Sequence, residues 1–513
     1  MPSSSTSFDY IICGGGTVGC VLADRLSHAG NSVAMIEQGP EDYSDILMSP
    51  VAAPRLHGTP YEYNFMTTPQ QNVGNRALPN YGGKLLSGSS GVNYGLWTRG
   101  HTVDYDTWAE SVGDDRWSYK RLLRYFKKTE RHYNPDGDRE QHGFDGPIST
   151  TAGHRNYPLR ETVFNAFTKS GVTFNPDANG GNPIGLGAFT ENWTTGEGAH
   201  RQPASKATVA RVLIDKTTKT ADGVVLVDGR MFTASKEVIV SSGALKTPQL
   251  LMLSGIGSSE HLSEHGIDAI ADLPVGLSLH DHISASLFWK LRHPERGLAL
   301  GSPLFNKPEY GRGNPFEWVV TSTIAPEDLK TGHVETMLAY APIAGGGSDF
   351  KLPFDGTHIS TPVVLLLATS RGTVTLADTD PNADPIIDPH YLETEADKQA
   401  MRTGMRVAMR AMETEDGQSM VLGETPPPGY KALTSSCSDA ELDVRLAIIG
   451  SSFFQNAGTA AMATVVDTKC RVKGVNKLRV CNASVLPLPI AAHYQAPMYA
   501  FGKAMADVIL GKA

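Results

Sequence analysis

The chain is poor in cysteine, in long apolar runs and in clusters of like charge, and each shortage removes a class of function. Its five cysteines, Cys13, Cys20, Cys437, Cys470 and Cys481, are odd in number and never spaced as Cys-x-x-Cys. That disfavours a disulfide framework and leads us to expect free thiols in a reducing compartment. The longest apolar run, VVLLLA at 363–368, is far too short to span a bilayer. The opening MPSSSTSFDYII has no basic segment leading into a long apolar one, so no secretory signal and a cytoplasmic location are expected. A net charge of −9 over 513 residues is mild, and the Lys and Arg are scattered. Neither nucleic acid nor an anionic membrane is expected as a partner. What remains is ordinary globular composition, 40% apolar and 19% charged, in a chain long enough for two or three domains.

Near the N-terminus, FDYIIC ends in glycines and suits a buried parallel strand. VGCVLADRLSHAG follows with helical spacing at Val18, Val21, Leu22 and Leu26, and SVAMIE is a second buried strand. Together they form a βαβ unit. Gly14, Gly16 and Gly19 give G-x-G-x-x-G between strand and helix, with Thr17 and Val18 in the variable positions. The first glycine permits the tight turn, the second lets backbone approach a pyrophosphate, and the third packs helix on strand. Glu37 closes the second strand, where a carboxylate can bind both hydroxyls of an adenosine ribose. The acid disfavours a 2′-phosphate and hence NADP; the fingerprint leaves NAD and FAD open.

Residues 40–93 are rich in Gly, Pro, Asn and Tyr and are expected to form long loops. Residues 105–130 and 394–414 are expected to be helical, and 287–364 to supply a second sheet. KEVIVSSGALKTPQLLMLSGIG predicts strand, turn and helix, with Thr247 as cap, Pro248 in the first turn and Gly255 at the end. KLRVCNASV and APMYAFGKAMADVIL repeat strand, loop and helix at the C-terminus.

Longer motifs add to this reading. LPNYGGKLLSGSSGVNYGLWTRG and GALKTPQLLMLSGIG resemble the two signature segments of the glucose–methanol–choline (GMC) flavoprotein oxidoreductases. PVGLSLHDH, SRGTVTL, DYDTWAE, HGFDGP and LRVCNASVLPLPIAAHYQAP are similar to other segments of that family, so the resemblance runs over about residues 8–510. It implies an α/β GMC-type fold: a Rossmann-like FAD-binding domain and a discontinuous substrate domain on an antiparallel sheet. On that frame residues 8–290 are mostly FAD-binding, 291–440 mainly substrate-binding, and 441–513 return to the FAD domain with the catalytic pair. The resemblance selects FAD. It assigns Gly14, Gly16, Gly19 and Glu37 to the ADP part, and Lys84, Gly88, Ser89 and Asn93 to the pyrophosphate and flavin. Val209 is assigned to the adenine. Asn482 stands where the family usually has aspartate. Some relatives bond flavin to a histidine where this chain has Val92, so a non-covalent flavin is expected. The stretch between His200 and Val209 is shorter than expected, and Ser87 replaces a glycine common in the first signature.

The family oxidises alcohols: a base takes the hydroxyl proton while hydride leaves for flavin N5. Its usual pair is a His in H-x-x-G-T and a His or Asn before A-P. Here the first position is Gln455 and the second His493. Glutamine cannot take a proton near neutrality, so His493 is the expected base and Gln455 an orienting group. Phe454 and Tyr494 adjoin the pair and favour an apolar or aromatic substrate if they face it; core packing is the alternative reading. His280 and His282 flank Asp281 without a third ligand at metal spacing, so no metal is expected. The reading is an oxidoreductase for a small primary or secondary alcohol, passing electrons to oxygen or a quinone-type acceptor and serving secondary metabolism. The alternative is a lyase, isomerase or cyclase of the same fold using His493 without net redox change.

Overall fold

In the computed structural model, residues 6–42, 44–153, 155–193, 209–324, 332–345, 347–348 and 350–512 are described. The shortened stretch before Val209 lies outside them. The first unit is Thr6–Cys13 (β1), Thr17–His28 (α1) and Val33–Ile36 (β2). β1 and β2 pair in parallel, and Ile11, Ile12 and Cys13 are fully buried because a parallel sheet is covered on both faces. Glu62–Met66 (β3) and Pro79–Gly83 (β4) form an antiparallel hairpin inside the region read as loop. Thr102–Val112 (α2) and Tyr119–Thr129 (α3) are the helices of the region expected to be helical, one on each of its segments YDTWAE and YKRLLRYFKKTE. Gly113, in the left-handed region at φ 68°, ends the first.

Gly185–Ala188 (β5) belongs to the second sheet, whereas Val209–Asp215 (β6), Thr220–Leu226 (β7) and Met231–Val240 (β8) join the first. β8 lies parallel to β1 and is antiparallel to β7 through its first residues. The next helix, Gly243–Leu253 (α4), starts earlier than expected. Thr247 is therefore an interior residue and not a cap, and Pro248 lies within the helix. Proline there cannot donate to the carbonyl four residues back, that of Ala244. Thr459 takes the vacant place: its hydroxyl donates to the Ala244 carbonyl at 2.6 Å. The helix thus tolerates its proline because the Ala-Gly-Thr turn repairs it.

Ile283–Leu291 (β9), Phe316–Ser322 (β10), Val334–Ala339 (β11) and His358–Leu365 (β12) form the body of the second sheet. Glu395–Glu413 (α5), capped by the Thr394 hydroxyl, lies on its back face. Val421–Glu424 (β13) and Ser451–Ser452 (β14) complete it in the order β13-β9-β12-β11-β10-β5, with β14 on β9. Alternation along β11 sends Val334 and Thr336 toward Gly404 of α5, where the Thr336 hydroxyl donates to the Gly404 carbonyl. Glu335 and Met337 consequently face the other way. Leu478–Val480 (β15) returns to the first sheet, parallel to β8, and Gln495–Ile509 (α6) packs on α1. Arg25 of α1 pairs with Asp507 of α6 at 2.8 Å, and Tyr125 of α3 donates to the same carboxylate. No described helix is long and apolar enough to cross a membrane.

Replacing Thr459 by valine keeps the shape and strips the Ala244 carbonyl of its donor. Urea denaturation of the FAD-free variant is expected to show a loss of about 1–3 kcal/mol. An unchanged midpoint would mean that the carbonyl is satisfied otherwise.

Candidate active site

The carboxyl ends of β1, β2, β8 and β15 meet at one crevice, where an open α/β sheet binds ligands. Cys13 and Gly14, Ile36 and Glu37, Ser241 and Ser242, and Asn482 all line a cavity of about 370 Å³. Gly14 has φ 108°, and a Cβ there would lie 2.4 Å from the Ser241 carbonyl oxygen. A Cβ on Gly19 would lie 2.1 Å from the Gly14 carbonyl oxygen, so this glycine sets the distance between α1 and β1 and stands outside the cavity. Gly16 is different. Its φ of −74° suits any residue, and a Cβ there would meet nothing closer than 3.8 Å. It lines the cavity, so what it preserves is room beside the first turn of α1, which no side chain caps.

Thr17 and Val18 line the same wall, opposite Gly88 and Ser89. The two segments are tied by Ser87 N–H donating to the Gly15 carbonyl at 2.8 Å and by a 2.5 Å bond between the Thr17 and Ser90 hydroxyls. Ser87, in place of glycine, still adopts the left-handed conformation at φ 80°. Glu37 accepts from Gly15 N–H at 2.8 Å and Gly39 N–H at 2.9 Å. Burial pushes its carboxyl up, and those amides oppose the rise. Asn93 and Val209 line the cavity as well. Asn482 donates to the Val240 carbonyl and the Thr247 hydroxyl and accepts from Ser484 N–H, so its amide does work that a carboxylate could not do toward a carbonyl. Lys84 lies outside the lining; its ammonium sits over the Tyr63 ring at 5.4 Å. A strand-end crevice, an uncapped helix start with free space, and a buried acid closing β2 fit a flavin dinucleotide. Val92 offers no atom for a covalent link.

His493 and Gln455 both line this cavity. The loop that carries His493 hangs from two side chains. Asp104 of α2 accepts from Ala491 N–H at 2.9 Å, and Thr98 Oγ1 accepts from His493 N–H at 2.7 Å. Burial pushes the Asp104 carboxyl up to about 7 against the pull of the Ala491 and His101 amides. The ring of His493 is buried, with Phe453 edge-on at 5.3 Å. Its Nε2 lies 2.7 Å from Oε2 of buried Glu335. Donation to that carboxylate places the ring proton on Nε2 and leaves the Nδ1 lone pair, which has no partner among the described residues.

The orientation of the Gln455 amide follows from a single bond. Tyr494 N–H donates to it at 2.9 Å, and only the carbonyl oxygen can accept. The –NH₂ is therefore the end left for a ligand, and position 455 offers a donor. Phe454, one residue earlier, lines the cavity in the left-handed region at φ 62°. Its strained turn is held by Ser452 Oγ accepting from Phe454 N–H at 3.0 Å and by Asp281 accepting from Gln455 N–H at 2.5 Å. Tyr494 also lines the cavity, but its hydroxyl points to His280 Nδ1 at 3.4 Å and its ring meets His282 edge-on. Burial pushes His280 down to about 3 and His282 well below the usual range, the latter helped by His493. Both are neutral packing groups.

Reading the sequence missed Glu335, although a lone acid in the apolar strand VETMLA is a visible signal. It also missed Thr98 and Asp104 as supports of the histidine loop. Elsewhere, Glu130, His132 and His142 converge with ligand-like spacing. The guanidinium of buried Arg99 bonds directly to Glu130, so this is an ion-pair cluster with its own cation in place. Burial would raise Glu130, but His132, His142 and Arg99 together hold it well below the usual carboxylate range.

Models of the GMC oxidoreductase N- and C-terminal regions match residues 8–284 and 368–502. The chain is 60% identical to GMC-type oxidoreductase acuG of Aspergillus aculeatus, covering 99% of this chain and 100% of that one. It is 31% identical to oxygen-dependent choline dehydrogenase of Sinorhizobium medicae, over 98% and 96% of the two chains. Among solved structures it superposes on pyridoxine 4-oxidase from Mesorbium loti with a TM-score of 0.85 at 26% identity, covering 97% of this chain and 98% of that one. On formate oxidase from Aspergillus oryzae RIB40 the TM-score is 0.86 at 27% identity, with 99% and 98% covered.

The space kept by Gly16 separates a binding defect from a folding defect. Gly16→Ala is expected to leave the urea midpoint of the FAD-free protein unchanged and to weaken FAD retention about tenfold, a cost of about 1.4 kcal/mol. Flavin-to-protein absorbance after dialysis reads the second quantity. Full retention would mean that nothing bound approaches Gly16.

Proposed function

Since this chain belongs to the GMC oxidoreductases, an FAD-binding family, we propose that it oxidises a small apolar or aromatic primary or secondary alcohol to the carbonyl compound. The observation that carries this reading is the His493–Glu335 pair at the wall of the cavity that the strand ends of the dinucleotide cradle also line. His493 Nδ1 takes the hydroxyl proton of the alcohol, and Glu335 holds the ring and stabilises the imidazolium that forms. The –NH₂ of Gln455 donates to the substrate oxygen and fixes its place. A donor suffices there because one base accounts for the one proton released. Bound FAD supplies the two-electron acceptor for the hydride that leaves the alcohol carbon, and oxygen or a quinone-type acceptor takes the electrons onward.

Substrate class follows from the walls. Leu96, Phe189, Phe316, Met337, Ile343 and Phe453 line the cavity, and Phe189 stacks on Phe316 at 4.9 Å. No cationic side chain stands among these six, so an anionic alcohol finds no counter-ion on this side. The base set aside, polar groups on the adjoining sheet face are the hydroxyls of Ser284 and Ser286.

Anaerobic mixing of the FAD-loaded enzyme with a panel of benzylic, allylic and aliphatic alcohols should bleach the flavin absorbance. His493→Ala is expected to keep FAD and slow bleaching by about 10²–10⁴-fold. Glu335→Gln should slow it by up to about 10⁴-fold as well, since the amide removes the charge and can turn its –NH₂ to Nε2 and impose the wrong tautomer. Conversion of a substrate with no bleaching and no electron acceptor would overturn the oxidation reading, and an undiminished rate in His493→Ala would dismiss that residue as the base.

A further inference from the structure

A second hydrogen-bonded chain ends at the same cavity. Glu62 of β3 has its carboxylate buried, with 2% of the side chain exposed, and lies 3.0 Å from Nδ1 of His57. Nε2 of His57 is 3.0 Å from the hydroxyl of Tyr94. The imidazole is clamped between rings, stacked on Tyr81 at 4.4 Å and tilted against Phe454 at 5.7 Å. His57, Glu62, Tyr81, Tyr94 and Phe454 all line the cavity. Phe454 precedes Gln455, so the chain lies on the Gln455 side of the site, and Tyr94 follows Asn93 of the cofactor wall.

For a neutral His57 ring the direction of each bond follows from the buried acid. A buried carboxylate needs a donor, and the His57 Nδ1–H supplies one. With its proton on Nδ1, the neutral ring has a lone pair at Nε2, and the Tyr94 hydroxyl donates to it. The phenol proton is then occupied, and the free side of the Tyr94 oxygen can only accept.

From this juxtaposition we infer that Tyr94 is a specificity residue that accepts a hydrogen bond from a second hydroxyl on the substrate, a phenolic one in an aromatic alcohol. His57 and Glu62 are positioning residues that keep the Tyr94 oxygen an acceptor. No bond is made or broken at this group. A hydroxyl on the substrate ring satisfies the acceptor, whereas a methyl ether presents a second acceptor to it and leaves both unpaired. The inference deepens the aryl-alcohol reading of the same cavity and rests on it for the identity of the ligand.

Probes that cannot be oxidised as alcohols keep the two readings apart. FAD-loaded enzyme is titrated with 3-methylphenol and with 3-methylanisole, following the perturbation of the bound flavin's visible absorbance. The native protein is expected to bind the phenol at least about tenfold more tightly, the discrimination of one good hydrogen bond. Tyr94→Phe, which removes one oxygen, should abolish the difference. His57→Phe keeps a flat ring against Tyr81 and frees the Tyr94 proton to point into the cavity, so preference should move toward the ether. A general loosening of the site would weaken both probes alike in both variants. Equal affinities in the native protein, no binding of the phenol, or an unchanged preference in Tyr94→Phe would each overturn the inference. Flavin bleaching by alcohols decides the oxidation reading separately.

Discussion

A carboxylate taken out of water has about four lone-pair positions to fill, and Asp281 fills them all from the protein. His282 N–H at 2.8 Å and Gln455 N–H at 2.5 Å serve one oxygen; the Tyr391 hydroxyl at 2.5 Å and the Ser452 hydroxyl at 2.7 Å serve the other. Burial pushes its carboxyl up, and the hydroxyl bonds from Tyr391 and Ser452 work against that. These four donors come from three parts of the chain, the residue beside Asp281, Tyr391 and the 452–455 turn, and converge on one carboxylate. The left-handed turn at Phe454, the amide of Gln455 and the start of β9 are thereby fixed relative to one another. Losing Asp281 would release the strained turn on which the donor at 455 depends.

The cavity has two walls of different origin. One is made of strand ends and glycines, where backbone approaches a ligand closely and side chains mostly stay away. The other is the front of the second sheet, where alternation along β11 delivers Glu335 and Met337 while Thr336 serves the helix behind. The histidine loop bridges them, hung from Asp104 and Thr98 and completed by the bond from Tyr494 to Gln455. Such support holds the His493 ring in one tautomer and one direction.

The first βαβ unit was legible because its signals are local: an apolar run, a glycine turn, a helical period and a closing acid. The C-terminal arm was legible by resemblance, which placed Gln455 and His493 in one cavity. Glu335 needed the fold, since nothing in its neighbours says which of two strand faces meets the histidine. The hairpin of β3 and β4 was hidden by glycine, proline and asparagine, which read as loop, and with it Glu62. Thr247 looked like a cap because Pro248 favours a first turn. The structure starts α4 earlier because Thr459, more than two hundred residues away along the chain, satisfies the carbonyl that the proline cannot. For Glu335 and Thr247 the missing information was a contact between distant segments.

β8 takes β1 on one edge and β15 on the other, and α6 lies on α1. The floor of the crevice therefore joins the first strand of the chain to its last. Closing so long a loop carries an entropic penalty that is recovered only when the final segment docks. During synthesis the dinucleotide cradle has no complete floor until Leu478–Val480 has emerged, so cofactor loading belongs to the end of folding. Mass action then makes the flavin a lock on the finished topology, stabilising it in proportion to the free cofactor present and giving nothing to partly built chains.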